Sequence, residues 1–343
     1  MSDVLLVNPP CARLSFNQGV AVTYMPLGLG YLAASLKKAG FATTAIDADI
    51  LSLSEPQVID SILKEKPRIV GLSVMSTTLR SCYFIAASLK AASFPGEIIL
   101  GGPHVTALPE TVADMNLTYG IVGEAEQSFT RLCKALIDGT YREEEIPGLY
   151  NADKKKTPKL ACNKNLDALP HPVRELFPTE KYSHHSFITS RGCPGKCTYC
   201  LMPGTPYRSR SPENVVNEIE AAVTKHGVKK ASFVDDNFTL EKQRTLEICR
   251  LLKERKTGIS FNCQTRPDIL DEELARALKD AGCHLIFFGV ESATRKSAKT
   301  SEKTSQTRNT KTHSTSAAKQ ASQPAHTSCS ASQGKQKHKS RKP

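Results

Sequence analysis

The chain has 343 residues, 39% hydrophobic and 23% charged, which is enough for two domains with real cores and too large to depend on disulfide staples despite 11 cysteines. The net charge of +12 is unevenly spread: residues 293–343 hold 12 Lys and Arg against one acid, Glu302, while the other 292 residues hold 34 Lys and Arg against 33 Asp and Glu. The body is therefore near neutral, which argues against DNA as a partner. No stretch reaches the roughly 18 apolar residues of a membrane span. Residues 1–20 lack a basic start followed by a long apolar run, so no signal peptide is read and the cytoplasm is the expected location.

In chain order, Asp3–Asn8 is a short apolar strand, and Gly28–Ala39 has apolar residues at helical spacing that stop at Gly40. Ala42–Asp47 predicts a second strand, Glu55–Lys64 a helix, Arg68–Met75 a nearly continuous apolar strand, and Leu79–Ala92 a helix. Glu97–Leu100 is a strand running into Gly101 and Gly102; a short helix follows, then a strand at Tyr119–Val122 and a helix at Glu124–Ile137. Strands buried on both faces and alternating with helices predict a doubly wound, Rossmann-like parallel sheet over residues 1–140. Ligands in such folds sit beyond the carboxyl ends of the strands. The loops there are Asn8-Pro9-Pro10, Ser73–Thr78, Gly101-Gly102-Pro103-His104 and Gly123-Glu124-Ala125-Glu126. A glycine pair lets backbone approach a bulky ligand, although the same residues could be plain tight turns. The dinucleotide fingerprint is missing after the first strand, so NAD is not expected. His104 has no partners at metal spacing.

Residues 141–184 are charge-rich, and Pro147, Pro158, Pro170, Pro172 and Pro178 break any long element, so this stretch predicts a connection across the surface. His185–Ser190 is a short strand feeding into Arg191-Gly192-Cys193-Pro194-Gly195-Lys196-Cys197-Thr198-Tyr199-Cys200. Cys-x3-Cys-x2-Cys can hold three irons of a cubane cluster and leave the fourth open to a substrate or cofactor. The spacing alone also leaves zinc open, with His184, His185 or His226 as a further ligand, and a redox dithiol. Cys11, Cys82, Cys133, Cys249, Cys263 and Cys283 lie in apolar patterns and are expected to be small core residues.

Beyond the cysteines, helices at Pro212–Thr224, Leu240–Lys253 and Asp271–Ala281 alternate with strands at Lys230–Val234, Gly258–Cys263 and His284–Gly289. Polar residues fall at the strand ends: Asp235 and Asp236, Gln264 and Arg266, Glu291. This is where a parallel barrel builds its site, with a cap on the next helix as the alternative reading of Asp235 and Asp236. Residues 293–343 contain no Val, Leu, Ile, Met, Phe, Tyr or Trp. That composition predicts a disordered, low-complexity basic tail, with a functional basic extension touching RNA, membrane or an acidic partner as the alternative.

The cysteine motif resembles the radical S-adenosylmethionine (SAM) superfamily. Residues 1–140 resemble the cobalamin (B12)-binding domain found ahead of many such enzymes, through Val70–Thr77, Gly101–His104 and Pro26–Ala34. The branch it resembles contains the anaerobic magnesium-protoporphyrin ester cyclase and radical methylases. The resemblance implies a [4Fe-4S] cluster on Cys193, Cys197 and Cys200 that binds SAM and cleaves it reductively to a 5′-deoxyadenosyl radical. It also implies an external one-electron donor such as flavodoxin or ferredoxin. Tyr199, Asp235, Asp236, Gln264, Arg266 and Glu291 would lie on the SAM side, and Asn8, Pro9, Ser73, Met75, Thr77, Gly101, Gly102, Gly123 and Glu124 on the cobalamin side. The loop after the first strand departs from the classical cobalamin domain, since it has no His to ligate cobalt. Such barrels usually have six β/α units. Four strands can be placed in residues 185–292 and the match stops near Ser292, which reads as a truncated or frameshifted partial barrel of compromised activity. The implied reaction is methylation, cyclisation or rearrangement of a small hydrophobic or tetrapyrrole-type substrate. Modification of RNA or protein is the alternative, as is a cofactor-binding module without turnover.

Overall fold

The computed structural model describes residues 2–11, 23–139, 142–154, 158–197, 200 and 204–289. The expectations for Tyr199, Glu291 and residues 293–343 lie outside them. The first unit runs β1 (Val4–Asn8), α1 (Leu27–Lys38), β2 (Thr43–Asp47), α2 (Glu55–Glu65), β3 (Ile69–Ser73), α3 (Leu79–Ala91) and β4 (Glu97–Gly101). Two short helices follow, α4 (Pro103–Ala107) and α5 (Thr111–Asp114), then β5 (Tyr119–Ile121), α6 (Ala125–Asp138) and β6 (Leu149–Asn151). The sheet order is β2-β1-β3-β4-β5-β6, with β6 alone antiparallel.

Successive residues of a strand face opposite sides of its sheet, and β1 shows both sides in use. Leu5 and Val7 pack with α2 and α3 through Val58, Ile62, Cys82 and Ile85. Val4 and Leu6 pack on the other side with α1 and α6 through Leu29, Ala33, Phe129 and Leu132. Because β2 and β3 flank β1 on opposite sides, the strand order reverses there, which opens a crevice at the carboxyl ends of β1 and β3.

The stretch expected as a surface connection is instead built into this unit. β6 pairs with β5, Ala161 bridges to Gly123, and Ile146, Tyr150, Val173 and Phe177 are buried. Its strand is three residues long, too short to show a period among prolines and charges.

The second unit runs β7 (His185–Phe187), β8 (Ser190–Arg191), β9 (Arg208–Ser209), α7 (Pro212–His226), β10 (Lys230–Phe233), α8 (Lys242–Glu254), β11 (Ser260–Thr265), α9 (Glu272–Asp280) and β12 (Cys283–Phe288). Ser211 caps α7 by accepting from Asn214 N at 3.2 Å, and Gly227 ends it in the left-handed region. Four parallel strands in the order β12-β11-β10-β7 fall where the sequence predicts them. Phe187, Phe233 and Phe261 pack under the helices, and Phe233 stacks on Phe238 at 4.5 Å between ring centroids. Ser186, Ser232 and Asn262, in register across three strands, are also buried. The predicted strand His185–Ser190 is split. Only its first half joins the sheet, while Ser190 and Arg191 pair antiparallel with Ser209 and Arg208 in a separate ribbon. Among the described residues no helix is long and apolar enough to cross a membrane.

Candidate active site

A cavity of about 620 Å³ opens at the crevice between β1 and β3, within the size range of small-molecule and cofactor sites. Leu6, Asn8, Gly71, Leu72, Ser73, Ile99, Leu100, Gly101 and Ile121 form its floor from four strand ends, and Tyr24, Met25 and α1 supply one wall. Ile188, Arg191 and Val234 of the second unit close another side. A Cβ built at Gly101 meets nothing within 4 Å, so that glycine keeps cavity space open. Gly102 and Gly123 serve a different need, having φ of +100° and +93° with backbone of Val74 and Ala161 pressed against them. Of the residues expected on the cobalamin side, Asn8, Ser73, Met75, Gly101, Gly102, Gly123 and Glu124 line the cavity, whereas Pro9 and Thr77 do not. Asn8 is oriented by donating to Asp47 Oδ1 at 2.8 Å. Among the described residues no histidine lines the cavity. His104 is buried with both ring nitrogens in hydrogen bonds, to Ser76 at 3.1 Å and Thr111 at 3.2 Å.

The cysteine loop leaves the second unit through the β8/β9 ribbon. Gly192, at φ +85°, starts the loop where a Cβ would lie 2.2 Å from Pro206 O. Cys193 N donates to Thr205 Oγ1 at 2.9 Å, and Gly204 N donates to Gly195 O at 2.7 Å, closing the loop on itself. A Cβ on Gly195 would lie 3.3 Å from Cys193 Sγ and 3.9 Å from Cys197 Sγ, so the glycine leaves the space beside both sulfurs free. Cys200 N donates to Cys197 O at 3.1 Å, and its side chain is exposed. Among the described residues no three His, Cys, Asp or Glu side chains converge on a metal-sized point, so the trio shares a loop without its sulfurs being gathered. The donor set fits an iron–sulfur cubane: three free thiols and glycine-cleared space. His184, His185 and His226 do not join them in any such group.

Arg191 ties this loop to the cavity. Its guanidinium pairs with Glu126 at 2.6 Å and Glu124 at 3.3 Å, and lies 5.3 Å over the Tyr31 ring. Arg208, its ribbon partner, pairs with Glu124 at 2.8 Å and donates to Asn163 O at 2.7 Å. Asn163 in turn donates through its side chain to Glu126 Oε2 at 2.7 Å and through its backbone to Glu124 at 2.7 Å. Burial alone would raise the Glu124 carboxyl, but the Arg208 hydrogen bond and the Arg191 charge hold it below the usual carboxylate range. Glu124, expected as a cobalamin-side residue, is therefore also an ion-pair partner of the cysteine loop. Glu126 and Arg191 complete this set. The sequence marked them only as neighbours of motif residues, because partners 65 positions apart leave no local signal.

The strand-end residues of the second unit divide in role. Asp235 is fully buried and its carboxylate accepts from Thr189 N, Thr189 Oγ1 and Ser190 Oγ, the last two at 2.7 and 2.5 Å. Burial raises its carboxyl above the usual range against these hydrogen bonds. It braces the strand that leads to the cysteines, while Asp236 is exposed. Gln264 donates to Asp235 O at 2.8 Å. Arg266 pairs with Asp268 at 2.6 Å and reaches to 3.7 Å from the Cβ position of Gly195, beside Cys193 and Cys197. Of the cysteines expected in the core, Cys82, Cys133, Cys249 and Cys263 are buried, and Cys11 and Cys283 are half-buried.

Comparison with known proteins agrees with both halves. The radical SAM superfamily matches residues 187–326, and the B12 binding domain matches residues 18–133. An uncharacterized methyltransferase of Pyrococcus horikoshii is 32% identical over 306 residues, 84% of this chain and 65% of that protein. The anaerobic magnesium-protoporphyrin IX monomethyl ester cyclase of Rubrivivax gelatinosus is 30% identical over 294 residues, 80% of this chain and 53% of that protein. The chain thus spans between about half and two thirds of these relatives' lengths. In fold it is similar to the radical SAM methyltransferase TsrM of Kitasatospora setae, with a TM-score of 0.72 at 20% identity over 86% of this chain and 60% of that one. It is similar also to the cobalamin-dependent SAM radical enzyme OxsB, with a TM-score of 0.73 at 23% identity over 90% of this chain and 46% of that one. With a radical SAM match over residues 187–326 and a B12 binding match over residues 18–133, the chain belongs to the radical SAM superfamily, in the branch that carries a B12 binding domain ahead of the radical SAM domain.

Proposed function

We propose that this protein is a cobalamin-dependent radical SAM enzyme that methylates, cyclises or rearranges a small hydrophobic or tetrapyrrole-type substrate. The observation that carries the reading is Arg191. It lines the cavity of the first unit and stands two residues before Cys193, so the chain that walls the cavity leads directly into the cysteine motif. The substrate class rests on the relatives, a methyltransferase and a porphyrin ester cyclase. A near-neutral body ranks RNA below a small molecule.

Cys193, Cys197 and Cys200 would hold three irons, and a reduced cluster there supplies the electron that cleaves SAM. Gly195 keeps space beside the sulfurs, and Arg266 sets a cation next to Cys193 and Cys197. Asp236, Gln264 and Arg266, with Tyr199 and Glu291, are the proposed SAM-side residues. Asn8, Ser73, Met75, Gly101, Gly102, Gly123 and Glu124 are the proposed cobalamin-side residues, in a cavity where no described residue offers cobalt a histidine. Pro9 and Thr77, also read on the cobalamin side, lie outside that lining. An external one-electron donor is required, and unpaired thiols with a labile cluster suit the reducing cytoplasm. Anaerobic reconstitution with iron and sulfide should give a brown protein with about four irons per chain that forms 5′-deoxyadenosine from SAM. Cys197→Ala should lose both the visible band and the cleavage. One zinc per chain in place of iron would refute the reading, and a full cluster without cleavage would favour a cofactor-binding module.

A further inference from the structure

We infer that the Glu124–Arg191–Arg208 ion-pair clamp couples the two cofactor sites, so that filling the cavity of the B12-type unit and assembling the cluster on the cysteine loop each favour the other. The inference rests on the reading just given and goes beyond it by naming positioning residues whose own job is communication.

The cysteine motif lies between Arg191 and Arg208, which are paired opposite one another in the ribbon. Both arginines grip the same carboxylate, Glu124, at 3.3 and 2.8 Å. Arg191 has a second grip on Glu126 at 2.6 Å. These groups are largely buried, with side-chain exposures of 14% for Arg191, 15% for Arg208, 19% for Glu124 and 6% for Glu126. Screening by solvent is therefore weak, and the geometry is held. Glu124 follows Gly123, whose positive φ and close contact with Ala161 backbone fix the direction in which the carboxylate leaves the strand.

The path to the cysteines is equally short and stiff. Arg191 is followed by Gly192, pressed against Pro206 O, and then by Cys193, whose N–H is held by Thr205. Thr205 and Pro206 lie just before Arg208, the other arginine of the ribbon. A shift of Glu124 or Arg191 against a molecule in the cavity therefore moves both ends of the loop that presents the three sulfurs. Gly123, Glu124, Glu126 and Arg191 all line the cavity, so its occupant touches the clamp directly. Arg208 is not among the lining residues, so it can be altered without removing a cavity contact.

Linkage makes the coupling reciprocal: if the cluster tightens cobalamin binding by some factor, cobalamin stabilises the cluster by the same factor. The test is titration of hydroxocobalamin, followed by its visible absorption after buffer exchange, into the full chain before and after anaerobic reconstitution with iron and sulfide. Wild type should bind about five-fold or more tightly once the cluster is present. Arg208→Gln should bring that ratio close to one while the affinity of the cluster-free form stays within about two-fold. Arg208→Lys, which keeps a cation on Glu124, should restore part of it. Cluster retention during dialysis, read by iron content and the electron paramagnetic resonance signal of the reduced cluster, should rise with cobalamin in wild type and not in Arg208→Gln. A wild-type ratio of one overturns the inference whatever the variants do, and so does an unchanged ratio in a folded Arg208→Gln. A wild type that binds no cobalamin, or assembles no cluster, refutes instead the functional reading on which it rests.

Discussion

At Gly101 an added Cβ would meet nothing within 4 Å, whereas at Gly102 it would lie 2.8 Å from Val74 O at a φ of +100°. The two glycines are adjacent and answer to different forces. Gly101→Leu should therefore fold with a stability change within about 1 kcal/mol and weaken hydroxocobalamin binding at least about ten-fold, because the new side chain enters the cavity. Gly102→Ala should lower stability by roughly 1–3 kcal/mol through backbone strain and the Val74 contact. Urea denaturation and absorbance titration separate the two, and unchanged cobalamin binding in a folded Gly101→Leu would contradict the assignment of the cavity. The sequence marks the Gly-Gly turn as a place where backbone can approach a ligand. It does not tell the two apart, since the distinction depends on φ and on Val74, which lies 28 positions before Gly102 in the chain.

The elements most legible in the sequence are the long strands and helices whose apolar period runs for several residues, such as β3 and α7. Short elements carry function and escape that signal. β6, β8 and β9 have three, two and two residues, and only pairing partners far along the chain define them. The cysteine trio was legible because its spacing is local. Its support was not, because Asp235 braces Thr189 and Ser190 from 46 and 45 positions away. Asp235→Ala should leave the Thr189 N–H and two hydroxyls without their acceptor in a buried place, at a cost of about 2–3 kcal/mol, and should lower iron retention by loosening the strand into the cysteine loop. Asp235→Asn keeps a carbonyl acceptor and should cost less. Equal stability of Asp235→Ala and wild type in urea would show that this contact does not hold the loop.

On the scale of the whole molecule, Glu218 joins its three parts. Its carboxylate lies 2.7 Å from Arg174 of the connecting stretch and 2.6 Å from Arg210 at the end of the ribbon, and Tyr31 of α1 donates to it at 3.3 Å. All four side chains are buried. No sequence pattern announces this cluster, because its members are spread from position 31 to 218 and each resembles a surface residue until the units dock. Two guanidiniums share one carboxylate, so removing that charge leaves both uncompensated in a place that water does not reach. Glu218→Gln preserves the volume and should cost about 3–5 kcal/mol. Glu220, on the same helix, makes a partly exposed pair with Arg255 at the end of α8 and provides the control, and Glu220→Gln should change stability by less than about 1 kcal/mol. Since the cluster bridges the two units, the single unfolding transition expected of the docked chain should split in Glu218→Gln into two that different probes resolve. Acid sensitivity gives an independent check. Burial alone would raise the Glu218 carboxyl, but Arg210 and Arg174 outweigh it and hold it below its ordinary value of 4.5. The folded state then binds this proton less readily than the unfolded state. The contribution is complete above that ordinary value and is lost as the pH falls through the lower folded one. Urea midpoints measured from neutrality into acid should therefore fall more steeply in wild type than in Glu218→Gln, and the two should converge at the acid end. Parallel curves, or a Glu218→Gln midpoint equal to that of Glu220→Gln, would mean that the units are held together elsewhere.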